Sequence, residues 1–164
     1  MNLYRVCYLD TSVIVKLLIR EKGTDTVTDY MKKEYISSTF YATSFCFAEA
    51  LGVLKSKYLR QEIDQETYFA LGEVLSAFIS KDGYIELLDV DISESLIFDE
   101  VEKIAKRNEI DIVDAYQIVT IQRDSASRID LKSEPILVTA DSALAQAARK
   151  EGLRVWNCLT EQAP

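Results

Sequence analysis

Apolar residues recur along the chain in short runs that alternate with stretches of helical spacing. The run RVCYL at 5–9 stops abruptly at Asp10-Thr11-Ser12. Beyond it Val13, Leu17 and Leu18 keep helical spacing, which predicts a strand feeding a helix capped by Thr11 or Ser12. A second helix is predicted over about 24–34, then a β-like stretch at 35–39 (YISST). Residues 44–60 carry a long amphipathic pattern with Ser44 as its cap; Asp64 opens a further helix to about Ser80, closed by an Asp82-Gly83 turn. IELLDV at 85–90 reads as a strand. Ser93 caps a helix running to Arg107, and Asp111 can cap the next, through about 125. A polar segment around 124–134 ends at Pro135. ILV at 136–138 is a buried strand, 142–151 a helix closed by Gly152, and LRVW at 153–156 a last strand with Trp156 in the core. Strands alternating with helices predict an α/β fold in three layers, α/β/α, around a mainly parallel five-stranded sheet. No repeat or low-complexity tract interrupts the pattern, so residues 1–164 are expected to form a single domain.

Composition narrows the chemistry. The chain has 164 residues, 19 Lys+Arg against 27 Asp+Glu, a net charge of −8 and no histidine. Without histidine there is no Ser-His-Asp or Cys-His catalysis and no His-ligated zinc. The negative balance excludes nucleic-acid binding through a broad basic face, because backbone affinity normally comes from many Lys and Arg contacts. Cys7, Cys46 and Cys158 are odd in number, widely spaced and form no C-x-x-C pair, so they read as small buried thiols in a reducing compartment. No leader-like start and no apolar run of roughly 18 residues is present, which makes a cytoplasmic protein without membrane contact the expectation. Polar chemistry here must run mainly on carboxylates.

Four carboxylates stand out. Asp10 follows the first strand, at the edge where open α/β sheets bind ligands, and a helix N-cap explains it equally well. Asp141 repeats that arrangement after ILV-Thr139-Ala140, with the same two readings. Glu49 shares a helix face with Phe45, Gly52 and Val53, where a charge is costly unless compensated; the alternative is a Glu reaching out from the stripe's edge. Asp114 shares a face with Ile118 and Ile121, while Asp111-x-x-Asp114 also resembles a capping box. Taken together, four carboxylates around one crevice would repel one another and raise their own pKa values unless a cation intervened. Oxygen-only ligands suit Mg²⁺ or Mn²⁺, and such an ion makes phosphodiester hydrolysis the natural chemistry.

The runs LDTSVIVKL (9–17), AEALGVL (48–54), IVDAYQI (112–118) and LVTADSALAQAARKEGLRVW (137–156) resemble the PIN domain family, and within it the VapC-type ribonuclease toxins of toxin–antitoxin modules. The resemblance implies a PIN-like parallel sheet with flanking helices and an acidic quartet at Asp10, Glu49, Asp114 and Asp141. Asp10, Asp114 and Asp141 would hold Mg²⁺ or Mn²⁺, and Glu49 would ligate directly or orient a bound water. The family's hydroxyl near the metal corresponds to Ser12 or to Thr139. It also implies endoribonuclease activity leaving 5′-phosphate and 3′-hydroxyl ends, an antitoxin partner and a homodimer. The stretch 60–84 is a helical extension beyond the leanest relatives. Lys16 and Arg20 follow Ser12 at helical spacing, and Lys55, Lys57 and Arg60 lie beyond Glu49; each set reads as an RNA contact or as a solvated helix face. Phe40 and Tyr41 read as base-stacking rings or as packing. Other readings are a PIN-domain RNA-processing or RNA-binding protein outside any toxin–antitoxin module, and an Asp-dependent phosphatase, for which Ser12 lacks the second acid.

Overall fold

The first strand, β1 (Arg5–Leu9), is the centre of the molecule. The computed structural model describes residues 5–80, 82–127 and 134–164, with nothing stated of the side chain of Glu134. The elements follow in the order α1 (Thr11–Leu18), α2 (Thr24–Glu34), β2 (Ser38–Ala42), α3 (Ser44–Leu59), α4 (Gln65–Phe78), β3 (Ile85–Leu87), α5 (Ser95–Asn108), α6 (Ile112–Ser127), β4 (Glu134–Thr139), α7 (Ser142–Lys150) and β5 (Val155–Asn157). The five strands form one sheet in the order β3-β2-β1-β4-β5, and every pair is parallel. Cys7 lies between Phe40 of β2 and Ile136 of β4, and Leu9 faces Val138. The chain builds outward from β1 to β2 and β3, then crosses to β1's other side to add β4 and β5. Strand order therefore reverses between β1 and β4, and a crevice opens at their carboxyl ends.

Side chains alternate across the sheet and meet two helical layers. Cys7 and Leu9 of β1 pack with Phe40, Val138 and Trp156 against Ile14, Tyr30, Ala50 and Leu75, from α1, α2, α3 and α4. Val6 and Tyr8 point the other way, against Val101, Ile118 and Leu144 of α5, α6 and α7. A sheet covered on both faces explains why its inner strands β1 and β4 carry continuous apolar runs, at 6–9 and 136–138. Trp156 is in the core, as its strand placement predicts. Helix α4, in the 60–84 stretch, lies against α3: Leu75 is fully buried, and the rings of Tyr58 and Tyr68 stack at 5.4 Å. No helix among the described residues is long and apolar enough to cross a membrane.

Element boundaries differ from the sequence reading where turns intervene. The strand expected at 35–39 begins at Ser38, because the chain leaves α2 through a turn in which the Ser37 N–H donates to the Glu34 carbonyl (3.0 Å). Ile36 is left 95 % exposed by that turn. The strand expected over 85–90 ends at Leu87. Asp10, not Thr11 or Ser12, caps α1, and Thr43, not Ser44, caps α3 by accepting from the Cys46 N–H. Ser93 bonds Asp91 instead of opening α5. The turn at Gly83 is required: a Cβ there would stand 2.3 Å from the Phe78 carbonyl oxygen. Of the expected polar segment 124–134, residues 128–133 lie outside the described residues.

Candidate active site

Asp10 leaves β1 with its backbone N–H still bonded to the Val138 carbonyl (3.0 Å), so the strand ladder aims it into the crevice. It is 6 % exposed, and its Oδ2 accepts from the Ser12 hydroxyl (2.5 Å), the Ser12 N–H (3.3 Å) and the Thr139 hydroxyl (2.8 Å). Ser12 Oγ in turn accepts from the Ala140 N–H (2.9 Å), and Thr139 Oγ1 from the Asp141 N–H (2.9 Å). These bonds lace the ends of β1 and β4 together. The two readings of Asp10 are thus compatible: the residue that caps α1 is also the buried carboxylate of the crevice. Ser12 and Thr139, both named from the sequence, are its two hydroxyl donors.

The other acids reach the same place from three helices. Asp141 caps α7, its Oδ1 accepting from the Ala143 (2.6 Å) and Leu144 (2.9 Å) N–H groups. Glu49 on α3 is exposed and accepts from the Thr11 hydroxyl through Oε2 (2.6 Å). The expectation of a charge on a buried apolar stripe is therefore corrected, since Gly52 one turn on is exposed as well. Asp114, half-buried in the first turn of α6, donates its backbone N–H to Asp111 Oδ1 (2.8 Å). The capping carboxylate at this helix start is Asp111's.

All four predicted acids line one cavity of about 420 Å³, together with Asp111 and Glu21. Asp114 is pushed up to about 7, first by burial and then by the charges of Asp111, Asp10, Asp141 and Glu49. Asp10 is also raised, by burial, against the lowering effect of its bonds from Ser12 and Thr139. The mutual repulsion expected from the sequence is present, but loss of water contributes more. Among the described residues, no group of three or more acidic or thiol side chains closes tightly enough on one point to hold an ion as placed.

Not every sequence-named contact faces this cavity. Lys16 is buried, and its Nζ is 2.5 Å from Glu21 Oε1, so it is not presented to a phosphate. Arg20 is exposed and pairs with Asp25 (3.0 Å); neither cation lines the cavity. Phe40 is a core residue, which corrects its reading as a base-stacking ring, and half-buried Tyr41 stacks on Tyr8 at 5.9 Å. Lys57 and Arg60 line an adjoining cavity, whereas Lys55 lines neither. Glu21 carries no sequence signal for the site: it lies beyond the end of α1, its N–H donates to Thr24 Oγ1 (3.0 Å), and its carboxylate pairs with Lys16 at the rim.

A model of the PIN domain family matches residues 7–150. The chain belongs to the PIN domain family. Its fold is shared with FitAcB from Neisseria gonorrhoeae, at 19 % identity and a TM-score of 0.64 over 94 % of this chain and 99 % of that one. VapBC2 from Rickettsia felis, solved bound to a DNA fragment from their promoter, superimposes at 13 % identity and a TM-score of 0.59, covering 92 % and 97 %. PAE2754 from Pyrobaculum aerophilum gives 16 % identity and 0.59, covering 93 % and 90 %. No curated protein matches the chain. The match of the family model runs from Cys7 in β1 to Lys150 at the end of α7, so this PIN domain includes the whole acidic crevice and α4.

Proposed function

We propose that this PIN domain is a metal-dependent endoribonuclease. The observation that carries the reading is the convergence of Asp10, Glu49, Asp114 and Asp141 on one cavity at the strand-order reversal, with Asp114 pushed up to about 7. The donor set fits Mg²⁺ or Mn²⁺: every candidate ligand is a hard oxygen, and a divalent cation relieves the repulsion among the acids. Asp10, Asp114 and Asp141 would hold the ion. A bound ion of this kind lowers the pKa of its water and stabilises charge developing on a phosphoryl oxygen.

The chain's own groups orient that chemistry. Ser12 and Thr139 fix the Asp10 carboxylate by bonding a single oxygen, Oδ2. Thr11 holds Glu49 in the same way, leaving it at the solvent-facing rim, where it would orient a water toward phosphorus. Asp141 uses Oδ1 on the helix cap and is exposed at the cavity, so Oδ2 would be the oxygen it offers the ion. The likeness to VapBC2 and FitAcB supports a further reading, that the chain is the toxin of a VapBC-type module. An acidic cavity suits an inhibiting Arg or Lys side chain from an antitoxin.

Incubation of labelled RNA with Mg²⁺, Mn²⁺ or EDTA tests the nuclease. Cleavage should need the metal and fall at least a hundredfold in Asp10→Asn; metal-independent cutting, or full activity in that variant, would remove the proposal. For the toxin reading, expression should arrest growth, and Glu49→Gln with Asp114→Asn should relieve it.

A further inference from the structure

The acidic cavity does not end at Glu49. A second cavity, of about 510 Å³, shares Val15, Glu21, Glu49 and Val53 with the first and continues to Ser56, Lys57 and Arg60. On α3 these positions step by three and four residues, so they form one helix face running about 16 Å from Glu49 to Arg60. The two cavities make a single trench, acidic where the chemistry is placed and basic at its far end.

The basic end is already arranged around an anion. Lys57 Nζ lies 3.0 Å from Glu62 Oε2, and Arg60 NH1 lies 3.5 Å from Glu62 Oε1, so two cations converge on one carboxylate. Arg60 NH2 also donates to Ser56 Oγ at 2.7 Å. The turn that delivers Glu62 is fixed by the end of α3. The Gln61 N–H bonds the Tyr58 carbonyl and the Glu62 N–H the Lys57 carbonyl, both at 2.9 Å, with Gln61 left-handed at φ 60°. Those paired bonds are a Schellman termination, which holds Glu62 over the two cations. The side chains of Lys57 and Glu62 are 25 % and 42 % exposed, and that of Arg60 67 %, so solvent and a competing anion can enter.

We infer that Lys57 and Arg60 form a phosphate subsite for the RNA strand, which takes a backbone phosphate flanking the scissile one and displaces Glu62. The subsite rests on the ribonuclease reading of the acidic cavity. It also answers how a chain of net charge −8 grips a polyanion: the attraction is confined to one end of a trench whose other end is reserved for a cation. Glu62 then acts as an internal competitor that weakens binding until a strand occupies both ends.

The test uses the full chain and a fluorescent single-stranded RNA. Binding is read by anisotropy in EDTA across a salt series, and cleavage in Mn²⁺ as kcat and KM. In Lys57→Ala/Arg60→Ala, affinity should fall about tenfold, KM should rise with little change in kcat, and the salt slope should lessen by roughly one. Glu62→Gln should tighten binding. A double variant that melts like the wild type yet keeps its RNA affinity, salt slope and KM overturns the subsite while the nuclease reading stands. A wild-type chain that neither cuts nor binds RNA overturns both. If the double variant keeps RNA affinity and instead loses binding to a poly-glutamate peptide, the trench is a protein-docking surface and the subsite is wrong.

Discussion

Asp114 concentrates the electrostatic cost of the site. Its carboxyl is raised from 3.8 to about 7, by burial first and by four neighbouring acids after it. Between those values the folded chain keeps a proton that the unfolded chain has released, so stability falls as pH rises through the window and the penalty is complete above about 7. In EDTA, the denaturant midpoint should therefore be lower at pH 8 than at pH 5.5, and Asp114→Asn should flatten the dependence. Mn²⁺ should restore the midpoint at pH 8 in the wild type. An equally steep pH profile in Asp114→Asn would show that the burden lies elsewhere in the cluster.

Helix starts carry much of the site, and this decides what could be read in advance. Asp10 and Asp141 each cap a helix at a strand end, so local pattern alone locates them; the strand–acid–hydroxyl order is visible in any window of ten residues. The cap and ligand roles of Asp141 can be separated. Asp141→Ala and Asp141→Ser both remove the charge, but Ser keeps an acceptor for the Ala143 and Leu144 N–H groups. Ala should unfold about 1 kcal/mol more easily than Ser, while RNA cleavage is lost equally in both; retained cleavage in Ser would make the cap the functional element. What the pattern could not show depended on packing between elements. Lys16 reads as a surface cation because it follows Ser12 by one helical turn, yet α2 and the C-terminal segment close over it: it lies near Gly23 and influences Cys158. Glu21 is placed at the site by its bonds to Thr24 and by that buried lysine. Glu49 reads as a buried charge because its neighbours in sequence are apolar, whereas the α3 face that it occupies is the wall of an open trench. The start of β2 was misplaced because Tyr35 and Ile36 have strand-like chemistry in a turn, which propensity cannot distinguish.

At the scale of the whole chain, the layers around the parallel sheet were legible because the inner strands β1 and β4 carry apolar residues on both faces and every connection is helical. Cys7, Cys46 and Cys158 are all buried as free thiols, one in each of β1, α3 and the segment after β5. Burial raises all three, Cys7 and Cys46 to about 11, so thiolate is scarce at neutral pH. A disulfide reagent should accordingly modify none of them quickly in native buffer and all three in guanidinium. Rapid native labelling would mean that the two helical layers open far more often than their packing implies.

The sheet's two margins have a different consequence. Its outermost strands, β3 and β5, are three residues each, while the inner ones are five or six. A five-stranded parallel sheet this apolar would template the addition of further chains if its borders were long and straight. With only a few backbone groups on offer at either border, and with the Asn157 N–H on β5 already taken by Glu161 (3.0 Å), an incoming strand finds too little ladder to hold it. The brevity of the rim protects the protein against self-association into fibrils.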